Sequence, residues 1–257
     1  MLPMKIALIG DSHCIDPDNP EPEKAQDRHH FRDTQPSQRQ LQALIREEAP
    51  DLLVSTGDMV DWCSEANIAY AVDLFDSMGV PWLMTPGNHD FSAADHSMRD
   101  DAAALWQARG VALENRVIDA DGLRLLLIDS HAIGVSPDTG AWLDALANQP
   151  GPMVCVSHVP WKTPALEQLI LDRQPGRNLR TYVQSRSPDF YESHVRGRFA
   201  ACFFGHLHFH GHCQLDGTDM HILPLSVRAS DREYPEQGRV GFLDSRSLNL
   251  RWRELGT

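Results

Sequence analysis

Five short apolar runs in this 257-residue chain each lead into a polar cluster, and that pattern constrains the fold more than any bulk property. Lys5 to Ile9 runs into Gly10-Asp11-Ser12-His13. Asp51 to Thr56 runs into Gly57-Asp58-Met59-Val60-Asp61. Val80 to Thr85 leads to Gly87-Asn88-His89-Asp90. Met153 to Val156 leads to Ser157-His158, and Ala200 to Phe204 to Gly205-His206-Leu207-His208. Short apolar runs bounded by turn signals read as buried strands. In open α/β sheets, ligands bind just beyond the carboxyl ends of strands, so separate strands can bring such clusters to one site.

The segments between these runs complete the expectation. Leu41, Leu44 and Ile45 are spaced for a helix over 37–48, with Ser37 as its N-cap. Ile68, Val72 and Phe75 mark a second helix over 64–78. Further helices are expected over 99–109 and 140–148, and a strand over 123–128. Residues 14–36 have no period and read as a long loop. After Gly205, alternating stretches over 212–215, 220–225, 240–244 and 248–252 read as antiparallel strands. A β-α-β-α first part and a strand-rich second part predict a mixed α/β fold of two packed mixed sheets with helices outside, as one domain over 1–257. The 42% hydrophobic content is enough for a sizeable core.

Lys+Arg number 23 against 36 Asp+Glu, a formal net charge of −13 with no basic run. Such a surface repels nucleic-acid backbones, so broad nucleic-acid binding is not expected. The first residues lack the long apolar core and cleavage site of a signal peptide, and no run is long enough to span a membrane. The five cysteines are odd in number and form no CxxC pair. They read as buried thiols in a reducing compartment, and the expected location is cytoplasmic.

Asp, Asn and His are the residue types that hold hard and borderline divalent metals. Asp11 and His13 are two residues apart; in an extended segment both face one side and reach one ion. His206 and His208 share that spacing. Asp58 can bridge two ions, Asn88 offers a carbonyl oxygen, and His158 an imidazole. Gly10, Gly57, Gly87 and Gly205 are expected to permit tight turns at the strand tips. Two divalent ions against two carboxylates and one hydroxide leave a locally positive centre in an acidic protein. Paired ions of this kind clamp the attacking and leaving oxygens of a phosphoryl displacement.

The five clusters, in this order from Asp11 to His208, resemble the calcineurin-like metallophosphoesterase superfamily. They look most like its bacterial class III branch of cyclic-nucleotide and glycerophosphodiester phosphodiesterases. That resemblance implies a four-layer αββα sandwich of two mixed β-sheets flanked by helices. It implies Asp11, His13 and His208 on one metal, Asp58 bridging, and Asn88, His158 and His206 on the second. His89 then faces the phosphate, Asp90 orients His89, and Asp61 supports the ligands from outside. The ions are Mn, Fe, Zn or Co, which ligand type alone does not select. The branch includes dimers; the sequence leaves a homo-oligomer open.

Two departures stand out. The branch often shows His-His-Pro where this chain has Ser157-His158-Val159-Pro160, and His210 and His212 lie outside its pattern. The implied activity is hydrolysis of a small phosphodiester, of cyclic-nucleotide or glycerophosphodiester type, by a metal-bridging hydroxide. Alternatives are a phosphomonoesterase or protein phosphatase, disfavoured because no arginine adjoins any cluster, and a non-catalytic binding scaffold. Asp61 is equally readable as a helix cap. His29, His30, His96, His131, His194, His210, His212 and His221 read as ordinary surface histidines, with His131 and His210 the nearest to exceptions. Trp161 reads as a packed rim aromatic or a pocket wall. Segments 14–36 and 172–188 are candidates for lids.

Overall fold

A computed structural model describes residues 3–146, 151–230 and 236–256. Two sheets carry the fold. The first has β1 (Lys5–Ile9), β2 (Leu52–Ser55), β3 (Trp82–Met84), β10 (Arg239–Asp244) and β11 (Leu250–Glu254) in the order β11-β10-β1-β2-β3. The second has β4 (Arg116–Ala120), β5 (Leu123–Ile128), β6 (Met153–Ser157), β7 (Ala201–Phe204), β8 (Gly211–Leu215) and β9 (Thr218–Ile222) in the order β4-β5-β6-β7-β9-β8. Strands β1, β2 and β3 run parallel, as do β5, β6, β7 and β9.

Alternation along the strands builds three apolar spaces between four layers. Ile6, Leu8, Leu52 and Val54 point inward and meet Leu125, Leu127, Val154, Val156 and Phe203 of the second sheet. Ala7, Ile9 and Leu53 point outward to Leu41, Leu44 and Ile45 of α3 (Gln35–Glu48) and Ile68, Val72 and Phe75 of α4 (Glu65–Asp76). Trp106 of α5 (Ala102–Ala108) joins that space. Leu126, Ile128, Cys202 and Phe204 face Leu143 of α6 (Pro137–Leu146) and Leu166 and Ile170 of α7 (Pro164–Arg173). Burial on both faces is why these strands read as continuous apolar runs. The result is the four-layer αββα sandwich.

Several local expectations change. Segment 14–36 contains two short helices, α1 (Pro22–Asp27) and α2 (His29–Arg32). Helix α3 starts at Gln35, not Ser37, whose hydroxyl donates to Thr34 O at 2.8 Å. Ser64 caps α4, accepting from Asn67 N at 3.2 Å, so Asp61 is not its cap. The helix expected over 140–148 corresponds to α6, described from Pro137 to Leu146, and 147–148 lie outside the described residues. Strand β4, helix α7 and helix α8 (Leu179–Tyr182) are not legible from periodicity. Strand β9 pairs parallel to β7, so the strand-rich end is mixed rather than wholly antiparallel.

Candidate active site

All five clusters lie beyond the carboxyl ends of β1, β2, β3, β6 and β7, at one edge of the sandwich. The first two are tied together by backbone. Ser12 N and His13 N both donate to Asp58 O, at 3.1 and 2.9 Å, and Cys14 N donates to Met59 O at 2.8 Å. This short extension of the β1–β2 pairing sets Asp11 and His13 against Asp58.

Donor atoms of Asp11, His13, Asp58 and His208 gather within 4.8 Å of one another, and so do those of Asp58, His158 and His206. Asp58 belongs to both groups. Asn88 Oδ1 lies 3.2 Å from His158 Nε2 and so joins the second. The backbone at these tips is not extended, however. His13, Asp58, His206 and His208 have φ of 42°, 47°, 70° and 57°, in the left-handed region. That twist sends His206 and His208 to different groups despite their spacing of two. Left-handed backbone in a non-glycine residue costs on the order of 1–3 kcal/mol and clusters where function requires it.

The glycines also act differently from expectation. Only Gly57 among the four has positive φ, at 101°. A Cβ on Gly87 would lie 2.1 Å from Asp58 Oδ1, and one on Gly205 would lie 2.2 Å from Asp11 Oδ1. These positions lack a side chain because a carboxylate occupies the space.

The imidazoles are oriented from behind. His13 Nδ1 donates to Asp61 Oδ1 at 3.0 Å, His158 Nδ1 to Thr56 O at 2.9 Å, and His206 Nε2 to Thr181 O at 2.8 Å. Each bond fixes a tautomer and leaves the other nitrogen's lone pair facing the cluster. There, His13 Nε2 and His208 Nε2 are 3.0 Å apart, and His158 Nε2 and His206 Nδ1 3.2 Å. Ligands about 2.1 Å from a shared metal sit about 3.0–3.4 Å from each other. Asp11 Oδ1 is buried without a hydrogen-bond partner. A buried carboxylate oxygen is left orphaned only where something else compensates it. The donor set therefore fits metal ions.

Electrostatics agree. Burial raises the Asp11 carboxyl, but the His208 hydrogen bond and the His158 and His208 charges bring it below its usual range. Asp58 is held well below that range, its burial outweighed by the charges of His158 and His89. His158 is raised to about 9: its own burial is outweighed by Asp58 and Asp11. His206 falls to about 4 through burial and the neighbouring His158 charge. The two carboxylates thus favour positive charge at the cluster, supplied by a proton on His158 or by a cation in its place.

His89 and Asp90 separate. Asp90 does not reach the His89 ring. Its oxygens accept from Met59 N at 2.9 Å, Val60 N at 3.2 Å and Gly87 N at 2.8 Å, so it braces the loops carrying Asp58 and Asn88. Burial and the Asp58 charge raise its carboxyl to about 7. The His89 ring is held instead by Asp61 O, 2.7 Å from Nδ1. Arg28, between α1 and α2, is the residue that sequence proximity missed. Its Nε donates to Asp61 Oδ2 at 2.7 Å, and Nη2 lies 2.8 Å from His89 Nδ1. His13, Asp61 and His89 also bring donor atoms together, but the Arg28 guanidinium already supplies the cation there.

The groups open onto a cavity of about 560 Å³ lined by His89, Arg28, Phe31, His131, Tyr182 and Arg186, among others. Both candidate lids contribute. Phe31 stacks on His13 with ring centroids 4.1 Å apart, and Tyr182 lies 5.2 Å from His206. His131 stacks on Phe91 at 3.8 Å in the wall. His210 packs on Trp252 instead, and Trp161 is buried against Phe190 and Phe204.

The family model for calcineurin-like phosphoesterases matches residues 4–210. The chain belongs to the calcineurin-like phosphoesterase family. The chain is 34% identical over 85 residues to the 3',5'-cyclic adenosine monophosphate phosphodiesterase CpdA of Escherichia coli K12. That match spans 33% of this chain and 28% of the relative. Its fold is similar to a dimetal phosphatase from Danio rerio, with a TM-score of 0.59 at 16% identity over 100% of both chains. It is also similar to TT1561 of Thermus thermophilus, with a TM-score of 0.54 at 10% identity over 99% and 100% of the two chains. Among the described residues no helix is long and apolar enough to cross a membrane.

Proposed function

We propose that this phosphoesterase hydrolyses a small phosphodiester, of cyclic-nucleotide or glycerophosphodiester type, at a two-metal centre. The observation that carries the reading is the division of seven donors into two groups that share Asp58. Asp11, His13 and His208 would hold one ion, Asn88, His158 and His206 the other, and Asp58 would contribute to both. Mn, Fe, Zn and Co all suit such a set. Two ions held there would supply the charge that lowers the pKa of an attacking water and neutralises the phosphoryl oxygens. Asp61 and the Thr56 and Thr181 carbonyls keep the imidazoles aimed inward. His89 stands on the cavity wall and passes a proton from Nε2 to the leaving oxygen as its bond to phosphorus breaks. The partial likeness to a cyclic AMP phosphodiesterase supports a diester.

The phosphomonoesterase reading keeps one specific support. The absence of an arginine beside the clusters in sequence does not carry over to space, since Arg28 and Arg186 line the cavity. The test is hydrolysis of an aryl phosphodiester and the matching monoester by metal-stripped protein reloaded with Mn²⁺. Faster diester cleavage is expected, and faster monoester cleavage would reverse the assignment. His89→Ala should keep its metal and lose about 10²–10⁴-fold in turnover. A His89→Ala protein that cannot hold metal would move His89 into the ligand set.

A further inference from the structure

We propose that Arg28 is a positioning residue for His89, reaching the site from the segment between α1 and α2. The inference rests on the phosphodiesterase reading for what His89 does, and on geometry for how Arg28 serves it.

Arg28 is spent on one neighbourhood. Its side chain is 13% exposed. Nε donates to Asp61 Oδ2 at 2.7 Å, Nη2 to Asp61 O at 2.8 Å, and Nη1 to His96 Nε2 at 3.0 Å. Asp61 O is also the partner of His89 Nδ1 at 2.7 Å. A carbonyl oxygen only accepts, so Nδ1 carries a proton, and the ring that serves as acid carries a second on Nε2. The contact of 2.8 Å between Arg28 Nη2 and Nδ1 is then two donors converging on one oxygen. Guanidinium, carbonyl and imidazole lock one another.

Two consequences follow. His89 Nε2 has no hydrogen bond to any described residue, and the ring sits edge-on to His13 with centroids 4.7 Å apart. Nε2 is therefore the nitrogen free for substrate. In addition, the Asp61 carboxylate that Arg28 grips also holds His13 Nδ1 at 3.0 Å. One arginine thus registers the proton donor against the first donor group. A lysine cannot replace it, because a single ammonium does not span a carboxylate and a carbonyl in one plane.

In the step served, a bond from hydroxide oxygen to phosphorus forms, the bond from phosphorus to the leaving oxygen breaks, and His89 in its imidazolium form, keeping Nδ1–H on Asp61 O, gives its Nε2 proton to that oxygen and is left neutral. Dependence on the proton grows with the basicity of the leaving group. The experiment compares methyl phenyl phosphate with methyl p-nitrophenyl phosphate in Mn²⁺-loaded protein. Arg28→Ala is expected to lower kcat about ten- to a hundredfold on the phenyl ester and less than about threefold on the p-nitrophenyl ester, with KM and metal content retained. Arg28→Lys should behave like Arg28→Ala, added guanidinium should restore part of the loss, and in His89→Ala the change should add nothing.

A second readout needs no turnover. In Zn²⁺-loaded protein, the His89 Nδ1–H resonance should be protected from exchange, and Arg28→Ala should remove that protection. Equal losses on both esters, with metal released, would make Arg28 a support of the metal-binding loops and overturn the inference. So would unchanged kinetics or an unchanged Nδ1–H signal. If wild-type protein cleaved neither ester, the phosphodiesterase reading would fail, and the resonance would still decide whether Arg28 positions His89.

Discussion

Glu48, at the end of α3, and Asp11, just past the end of β1, are both buried carboxylates, but their surroundings differ. Glu48 accepts from Arg251 at 2.6 and 3.1 Å and from Arg253, and lies 3.6 Å from Lys5 Nζ. Both of its oxygens have partners. Asp11 accepts from His206 N at 2.8 Å and lies 3.0 Å from His208 Nε2 through Oδ2, while Oδ1 has no hydrogen-bond partner. A buried charge must be compensated. At Glu48 the chain supplies its own cations, whereas at Asp11 it leaves part of that compensation to a ligand. The difference separates a structural ion pair from a binding site better than burial does.

The largest test of that contrast is Asp58→Ala, which removes the carboxylate shared by both donor groups. Metal content should fall to near zero and turnover by at least about 10³-fold, as metal analysis and the Mn²⁺ assay would show. The same variant should lose most of the thermal stabilisation that Mn²⁺ gives the wild type, because a ligand stabilises only the state that binds it. If Asp58→Ala kept two ions per chain, the shared-carboxylate arrangement would be wrong.

The contrast also explains what is legible in the sequence. The strand-tip donors are readable because each follows an apolar run that the sandwich buries on both faces, and Asp and His at a buried tip have few other uses. The four layers follow from the same runs. The backbone twist at His13, His206 and His208 is not readable, since residue spacing says nothing of positive φ. The resemblance implies Asp90 on His89, whereas its side chain turns to Met59, Val60 and Gly87. Arg28 lies in a segment without period, and only the packing of α1 and α2 over the site carries it 33 positions along the chain to Asp61. Chemistry carried on strand tips leaves a local signature; chemistry carried on crossing segments does not.

Gly87→Ala gives an intermediate effect and tests the packing directly. The new methyl would meet Asp58 Oδ1 at 2.1 Å and Asp58 N at 2.5 Å, so the loop carrying Asp58 must shift. Metal affinity should weaken about 10–100-fold, the range expected when the support of a ligand is disturbed. Titration with Mn²⁺ followed by calorimetry measures it. Unchanged affinity would mean that the close approach of Gly87 to Asp58 has no bearing on metal binding.

The smallest effect belongs to Glu48, where no ligand is awaited. The Arg251 hydrogen bond, followed by the charges of Arg251, Arg253 and Lys5, outweighs burial and holds the Glu48 carboxyl below its ordinary value. Its contribution to stability is therefore fully present above the unfolded pKa of about 4.3 and is lost as pH falls through the lower folded value. Glu48→Gln should cost about 1–2 kcal/mol at pH 7, a few degrees in Tm, and the gap from wild type should close at pH values below that window. Unlike Asp58→Ala, it should leave the Mn²⁺-induced rise in Tm intact, because the Glu48 ion pairs and the donor groups share no residue. A Glu48→Gln protein with a diminished response to Mn²⁺ would show that the two buried carboxylate sites are coupled through the first sheet.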